Sequence, residues 1–283
     1  MGQGSLRVGL IGLGAMGFAM AGRLAGTGEP ALGFDLDPGR AGSAAVEAAA
    51  DAAALCAAAD LVLLSLPSEA AVAAIGEIFV AAARPGAILV DCSTVGPDAS
   101  RALAGRVAAA GRRMLDAPVS GGPAGAAAGT LAMMVGGEAA TLAAARPVLE
   151  RLAQRIVHVG GAGAGCVAKL VNNAMVATHL LVAAEALRMA RLEGVDPASV
   201  LAAVNGASGR SGASEVNFLR WILSGSFDSG FSTGLMRKDL SLAARLAGAD
   251  TPLLAAAFAA WRESRVADAQ DFNRVAAERE ALA

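Results

Sequence analysis

A lysine and two asparagines, Lys169, Asn172 and Asn173, interrupt an otherwise apolar run from Gly160 to Glu193. Their i, i+3, i+4 spacing puts all three on one face of a helix, one turn apart. An ammonium group there can stabilise negative charge developing on an oxygen and pass it a proton, while an amide one turn on fixes the partner. The same triplet also fits a lysine whose head reaches water past two asparagines that bond to neighbouring chain. Both readings stand on these three residues alone. A second candidate is Ser120-Gly121-Gly122, which brings one hydroxyl and several unhindered N–H groups to the end of a strand. Such a loop can wrap a carboxylate, and it can equally be an ordinary glycine turn.

The third candidate comes first in the chain. Gly12-Leu13-Gly14-Ala15-Met16-Gly17 follows the apolar run Leu6–Ile11 and opens a helix pattern through Leu24. This is G-x-G-x-x-G in the strand-turn-helix setting it requires. Gly12 permits the tight turn, Gly14 lets backbone N–H groups approach a pyrophosphate, and Gly17 lets the helix pack on the strand. The helix start adds unpaired amides and a positive dipole end. A second strand, Ala31–Asp35, ends in an acid 18 residues past Gly17. A carboxylate there accepts hydrogen bonds from the adenosine ribose and repels a 2′-phosphate, which favours NAD. Arg40, close by in sequence, leaves NADP open. Asp35 could instead be a cap or turn residue, a role that Asp37-Pro38-Gly39 fills better.

The elements that position these residues alternate. Apolar strands at 60–66, 87–91, 114–116, 131–135 and 156–159 are separated by helical stretches at 43–50, 52–58, 68–83, 97–110 and 138–152, the last with Pro147 inside it. Alternation of this kind predicts a mostly parallel, doubly wound sheet covered on both faces. Ligands in such sheets lie beyond the carboxyl ends of the strands, where Leu66-Pro67, Ser93-Thr94 and Ser120-Gly121-Gly122 all fall. Past Glu193 the strand patterns vanish, and residues 196–207, 212–223, 235–248 and 252–279 read as helices. The expected organisation is a Rossmann-type dinucleotide-binding domain over 1–162 and an all-helical domain over 163–283, opened by the long helix that carries Lys169. Within the helical part, Lys238-Asp239 reads either as a solvated ion pair or as a cation reaching a cofactor.

Composition removes several function classes. A chain of 283 residues, 55% hydrophobic and 17% charged, can bury a large core, and at this length cores begin to divide. Its net charge of −2, with scattered cations, provides no footprint for nucleic acid or for an anionic membrane. The uncharged stretch Ala117–Gly137 contains two prolines and six glycines and cannot be a spanning helix. The Met1–Ser5 leader is short and polar, so no secretory signal is expected. Cys56, Cys92 and Cys166 lack metal-ligand spacing and read as buried thiols in a reducing cytoplasm. No metal is expected, and His158 and His179 read as structural. An alanine-rich helical domain has a large apolar face to cover, so a homodimer or homotetramer is expected.

Five patches, taken in order, carry a family resemblance. Gly12–Ala21, Asp91-Cys92-Ser93-Thr94, Asp116–Gly122, Gly163–Asn173 and Lys238-Asp239-Leu240 resemble the signatures of the β-hydroxyacid dehydrogenases, the group of 3-hydroxyisobutyrate dehydrogenase, tartronate semialdehyde reductase and glyoxylate/succinic semialdehyde reductase. The resemblance implies that Lys169 is catalytic and that Ser120, Gly121, Gly122 and Asn173 hold the substrate. It also implies that Thr94 and Lys238 touch the cofactor, alongside Leu66 and Pro67 at their strand end. One departure stands out: many relatives carry a bulky aromatic after the Arg-Ser pair, where this chain has Gly212.

The expected reaction is reversible hydride transfer between nicotinamide and a small β-hydroxy acid or aldehyde acid. As an ammonium, Lys169 would stabilise the alkoxide and return its proton. As a neutral base near pH 7 it would need its pKa lowered by about three units from about 10.4, a bias of roughly 4 kcal/mol. Reduction of another small aldehyde (tartronate, succinic or sulfo-semialdehyde, glyoxylate) shares the lysine. An imine reductase generally replaces it, and a non-catalytic NAD-binding module would not need it.

Overall fold

The computed structural model describes residues 6–28, 30–248 and 250–281; the Met1–Ser5 leader lies outside them. The chain divides into two compact units, Met1–Lys169 and Leu170–Ala283.

In the first unit, strands and helices follow in the order β1 (Val8–Ile11), α1 (Ala15–Gly26), β2 (Ala31–Phe34), α2 (Pro38–Ser43), β3 (Val46–Ala48), α3 (Ala52–Ala58), β4 (Leu61–Leu64), α4 (Glu69–Ala82), β5 (Ile88–Asp91), α5 (Pro97–Ala109), β6 (Arg113–Asp116), β7 (Val119–Ser120), α6 (Gly122–Ala128), β8 (Leu131–Gly137), α7 (Ala139–Leu152) and β9 (Ala153–Gly160). The sheet runs β3-β2-β1-β4-β5-β6-β8-β7, with β9 on β8. Pairing is parallel from β3 through β6, antiparallel where β8 meets β6 and β7, and parallel again between β8 and β9. The mostly parallel, doubly wound sheet predicted from the alternation is therefore what forms.

Each central strand is apolar throughout because both of its faces are covered. Leu61 and Leu63 of β4 and Ile88 and Val90 of β5 join the core under α1 and α7, with Met20, Leu24, Leu142 and Leu149. Val62, Leu64 and Leu89 point the other way, into a core with Leu55 of α3, Phe79 of α4 and Leu103 of α5. Truncating one of these, such as Leu63→Ala, would cost on the order of 2–5 kcal/mol.

Two local expectations are corrected. Residues 43–50 are not a helix. Asp37 accepts the Gly39 N–H at 3.0 Å and, with Pro38 behind it, starts α2 five residues earlier. Val46 then pairs as β3 against β2, where Gly33 leaves room: a Cβ on Gly33 would lie 2.4 Å from Val46 Cγ2. The stretch after Asp116, read as loop, forms β7 at Val119–Ser120 and then α6, which ends on Gly129 in the left-handed region (φ +71°).

The helix α8 (Ala164–Leu192) begins in the first unit and continues into the second, where α9 (Pro197–Asn205), a π-helical segment Ala213–Ile222, α10 (Thr233–Ala247), α11 (Pro252–Glu263) and α12 (Arg274–Ala281) follow. By length and composition alone α8 could cross a membrane, but Leu170, Ala177, Leu180, Ala184 and Leu187 are core residues of the second unit. Trp261 is fully buried there and donates its indole N–H to the Ala177 carbonyl at 3.1 Å. The single helix expected over 252–279 is broken between Glu263 and Arg274. Arg237 from α10 reaches the Trp261 and Ser264 carbonyls at 3.0 and 2.7 Å and the Asp268 carboxylate at 2.5 Å, holding the intervening chain in a non-helical path.

Candidate active site

In the first unit, β1 hands over to α1 through the glycine loop. Gly12 has φ +90°, and a Cβ on it would lie 2.3 Å from the Ser65 carbonyl oxygen. Gly17 is more constrained still, since a Cβ would come within 1.9 Å of the Gly12 carbonyl oxygen. The helix thus rests directly on the loop. Gly14 stands at the cap position of α1 with extended backbone and no side-chain hydrogen bond closing the first turn. A Cβ there would meet only Arg40 Nη1, at 3.7 Å. Leu13 is buried, Ala15 is exposed, and Met16 is half-buried against the core. A side-chain-free approach to the amides of a helix start is what a pyrophosphate requires, so these residues fit a dinucleotide.

Asp35 follows the last residue of β2, and its side chain is nearly buried. Its carboxylate accepts the Leu13 N–H at 2.7 Å and the Asp37 N–H at 2.9 Å, so it latches the glycine loop to the end of β2. Each oxygen keeps a further lone pair for a ribose hydroxyl. Arg40 lies 3.6 Å from Asp35 Oδ2 and 3.5 Å from Asp37, offsetting part of the charge that would repel a 2′-phosphate.

The neighbouring strand ends are tied to one another. The Leu66 N–H donates to Ser93 Oγ at 2.9 Å, and the Ser93 N–H donates to Asp91 Oδ1 at 2.9 Å. Thr94 is half-buried beside them and Pro67 is exposed. Ser120 closes β7, paired with Ala132 of β8, before Gly121 (φ +127°) and Gly122 (φ +66°) turn into α6. The predicted loop is therefore anchored on a ladder. Lys169 sits six residues into α8 and is only 7% exposed, against the reading of a lysine that reaches bulk water.

The second unit holds the rest. Asn173 is buried and donates from Nδ2 to Asp239 Oδ2 at 2.7 Å, while Asn172 Nδ2 donates to Asn173 Oδ1 at 3.0 Å. Lys238 Nζ lies 3.2 Å from the other Asp239 oxygen. With Asp239 at 1% exposure, the Lys238-Asp239 pair is no solvated face. Asp239 is not among the site residues expected from the sequence, yet it orients the amide of Asn173 and the ammonium of Lys238 at once. Composition also marks the two ammonium groups. Of 23 basic residues only Lys169 and Lys238 are lysines. The rest are arginines, which do not titrate in proteins. Gly212, which opens the π-helical segment, is exposed, and a Cβ on it would meet nothing within 4 Å.

Other reactive groups lie outside this set. His158 Nε2 and the Gly137 carbonyl are 2.8 Å apart between adjoining strands, a structural contact. All three cysteines are buried free thiols. Burial pushes the Cys56 thiol up to about 11. Burial also raises Cys92 and Cys166, reinforced by Asp91 beside Cys92 and by Asp116 and Asp91 beside Cys166.

Comparison with known proteins places both halves of the chain. Residues 7–160 match the family model of the NAD binding domain of 6-phosphogluconate dehydrogenase, and residues 163–278 match that of the NAD-binding domain of NADP-dependent 3-hydroxyisobutyrate dehydrogenase. A probable 3-hydroxyisobutyrate dehydrogenase of Mycobacterium tuberculosis is 40% identical over 258 residues, covering 87% of this chain and 88% of the relative. The solved structure of Mycobacterium tuberculosis 3-hydroxyisobutyrate dehydrogenase with L-serine superposes with a TM-score of 0.91 at 37% identity, over 98% of this chain and 100% of that one. A structure of Psf3 in complex with NADP+ and 2-OPP gives 0.87 at 28% identity, over 97% and 99%.

Proposed function

The chain belongs to the NAD-binding β-hydroxyacid dehydrogenase family, that of the 3-hydroxyisobutyrate dehydrogenases, and we propose that it interconverts a small β-hydroxy acid and the matching aldehyde acid with Lys169 as the acid/base. It is an NAD(P)-dependent oxidoreductase acting on a small hydroxy or keto acid. The observation that carries the proposal for Lys169 is its burial on α8, one helical turn before an asparagine whose amide is held by a buried carboxylate.

The dinucleotide, when bound, supplies the hydride chemistry. The chain's own residues handle position, charge and proton. Gly12, Leu13, Gly14, Ala15, Met16 and Gly17 hold the phosphates, and Asp35 takes the ribose, which favours NAD over NADP. Leu66, Pro67, Thr94 and Lys238 complete the cofactor contacts. Ser120 and the amides of Gly121 and Gly122 take the substrate carboxylate. Asn173 fixes an oxygen at the reacting carbon, and Lys169 removes or returns its proton. In oxidation the amine must be neutral to accept; in reduction the ammonium stabilises the alkoxide and protonates it. We place the enzyme in the cytoplasm as a homodimer or homotetramer, a reading supported by the exposed apolar residues Met175, Val182, Met189 and Leu192 along α8.

The experiment is turnover of NAD and NADP with 3-hydroxyisobutyrate, L-serine and other 3-hydroxy acids, and of NADH and NADPH with the aldehydes named above, read by absorbance of the reduced nicotinamide. Lys169→Ala is expected to lower kcat by at least a hundredfold with dinucleotide Kd nearly unchanged. Because the chain has two lysines, selective ¹³C labelling of lysine leaves two Cε signals to titrate, and Lys169→Arg assigns them. Near-normal turnover of Lys169→Ala removes the lysine from the reaction. Silence across the panel in both directions leaves a non-catalytic binding module.

A further inference from the structure

We propose that Asp116 is a positioning residue, the joint that fixes the strand leading to the Ser120 anchor against the first turn of the helix carrying Lys169. The proposal rests on the reading of Lys169 as the acid/base. Asp116 is the last residue of β6 and is 2% exposed. Its Oδ1 accepts the Gly163 N–H at 2.8 Å, and its Oδ2 accepts the Cys166 N–H at 2.9 Å. Gly163 is the residue before α8, and Cys166 is the third residue within it. These are the two N–H groups that a capping box satisfies with side chains at those same positions. Here the positions hold glycine and cysteine, which cannot do so. One carboxylate from 47 residues upstream takes both bonds instead.

The packing shows that the joint is fitted. A Cβ on Gly165 would lie 2.3 Å from the Met134 carbonyl oxygen and 2.6 Å from that of Asp116. A Cβ on Gly136 would lie 2.5 Å from Asp116 Oδ1. Glycine at both positions lets the helix start press against the ends of β6 and β8. The carboxylate also suits its place electrostatically, since an anion is favoured at a helix N-terminus and bonds to it are charge-assisted. Burial pushes the Asp116 carboxyl up, while its bonds from Gly163 and Cys166 pull it down. From this joint Ser120 is four residues along one arm and Lys169 three along the other. A shift of about 1 Å in either arm is the scale at which positioned catalysis loses about a hundredfold.

The test compares the wild-type chain, Asp116→Asn, Lys169→Ala and the double variant, with NAD and 3-hydroxyisobutyrate. Asn keeps one acceptor and presents a donor to the other N–H. Asp116→Asn is expected to lower kcat at least tenfold, leave dinucleotide Kd within twofold, and speed hydrogen exchange of the Cys166–Lys169 amides at least tenfold. In the Lys169→Ala background it should lower residual turnover less than twofold, because its effect runs through that lysine. Cys166→Pro, which deletes one N–H donor and keeps the carboxylate, must lower kcat in the same direction. An Asp116→Asn protein with kcat within twofold of wild type overturns the proposal. So does an equal loss with and without Lys169, which marks a merely structural role. Near-normal turnover of Lys169→Ala by itself is a different failure, seen before Asp116 is altered, and sinks both readings.

Discussion

Adding a single methyl group to the glycine loop separates folding from cofactor binding. In Gly17→Ala the new Cβ would stand 1.9 Å from the Gly12 carbonyl oxygen, more than 1 Å inside the closest approach that real Cβ atoms show. The Cβ is fixed rigidly to the helix backbone and the oxygen is backbone itself, so α1 must lift off the loop. Overpacking of this kind costs about 1–3 kcal/mol, against a gain of up to about 1 kcal/mol from replacing glycine in a helix. The net loss, on the order of 1–2 kcal/mol, should lower Tm by about 2–8 °C for a chain of this size. Displacing the helix start also withdraws its amides from the pyrophosphate, so dinucleotide Kd should rise at least tenfold. Gly14→Ala is the counterpart. Its Cβ has only Arg40 Nη1 in reach, at 3.7 Å, and its backbone conformation is open to alanine. Tm should stay within about 4 °C, since such substitutions change stability by a few tenths to about 1 kcal/mol. The methyl group nevertheless stands where the phosphates must approach, so Kd should still rise at least tenfold. Calorimetric titration with NADH and thermal unfolding of both variants decide the matter. A Gly14→Ala protein that binds NADH as the wild type does would refute the assignment of this loop to the pyrophosphate.

Asp35→Ala should lower the preference for NAD over NADP at least tenfold and cost about 1–3 kcal/mol, because the Leu13 N–H loses its buried acceptor. Unchanged discrimination in steady-state kinetics would show that the ribose is held elsewhere. Asp239→Asn replaces the charge that holds Lys238 and the acceptor that holds Asn173. It should reduce kcat/KM at least tenfold while Tm falls by a few degrees, and unaltered kcat/KM would make Asp239 a residue of the core alone. The raised Cys56 thiol has a consequence at alkaline pH: the folded chain keeps a proton that the unfolded chain loses near 9.0, so stability is full below pH 9 and falls until the folded thiol titrates at about 11. That loss is roughly 2–3 kcal/mol. The buried Cys92 and Cys166 thiols, also raised, add losses of the same sign, so urea midpoints at pH 8 and pH 10.5 report the three together, and Cys56→Ala should narrow the difference by about a third without abolishing it.

What could be read from the sequence was set locally. The fingerprint glycines declare themselves because their spacing follows from close backbone approach, and Gly12 and Gly17 meet that description in the structure. The strands were legible because burial on both faces leaves no choice but an apolar run, as in Leu61–Leu64. What escaped depends on partners distant in sequence. Val46 becomes a strand because Gly33 gives it room, and nothing in the alanine-rich neighbourhood announces that. The break after Glu263 is imposed by Arg237, more than twenty residues earlier. Asp116 and Asp239 stood inside the recognised patches, yet an acid's task depends on which N–H or amide it meets, and those lie 47 and 66 residues away.

The latch between Asp35 and the glycine loop has a consequence for anyone wishing to redesign this enzyme around the phosphorylated coenzyme. In dinucleotide folds the acid after the second strand is where the ribose hydroxyl and the 2′-phosphate are told apart. In this chain the carboxylate that we propose takes the ribose also accepts the Leu13 N–H, so replacing it loosens the loop it is meant to retune. A change of coenzyme is better sought by leaving residue 35 in place and removing Asp37, which frees Arg40 from one of its two carboxylates.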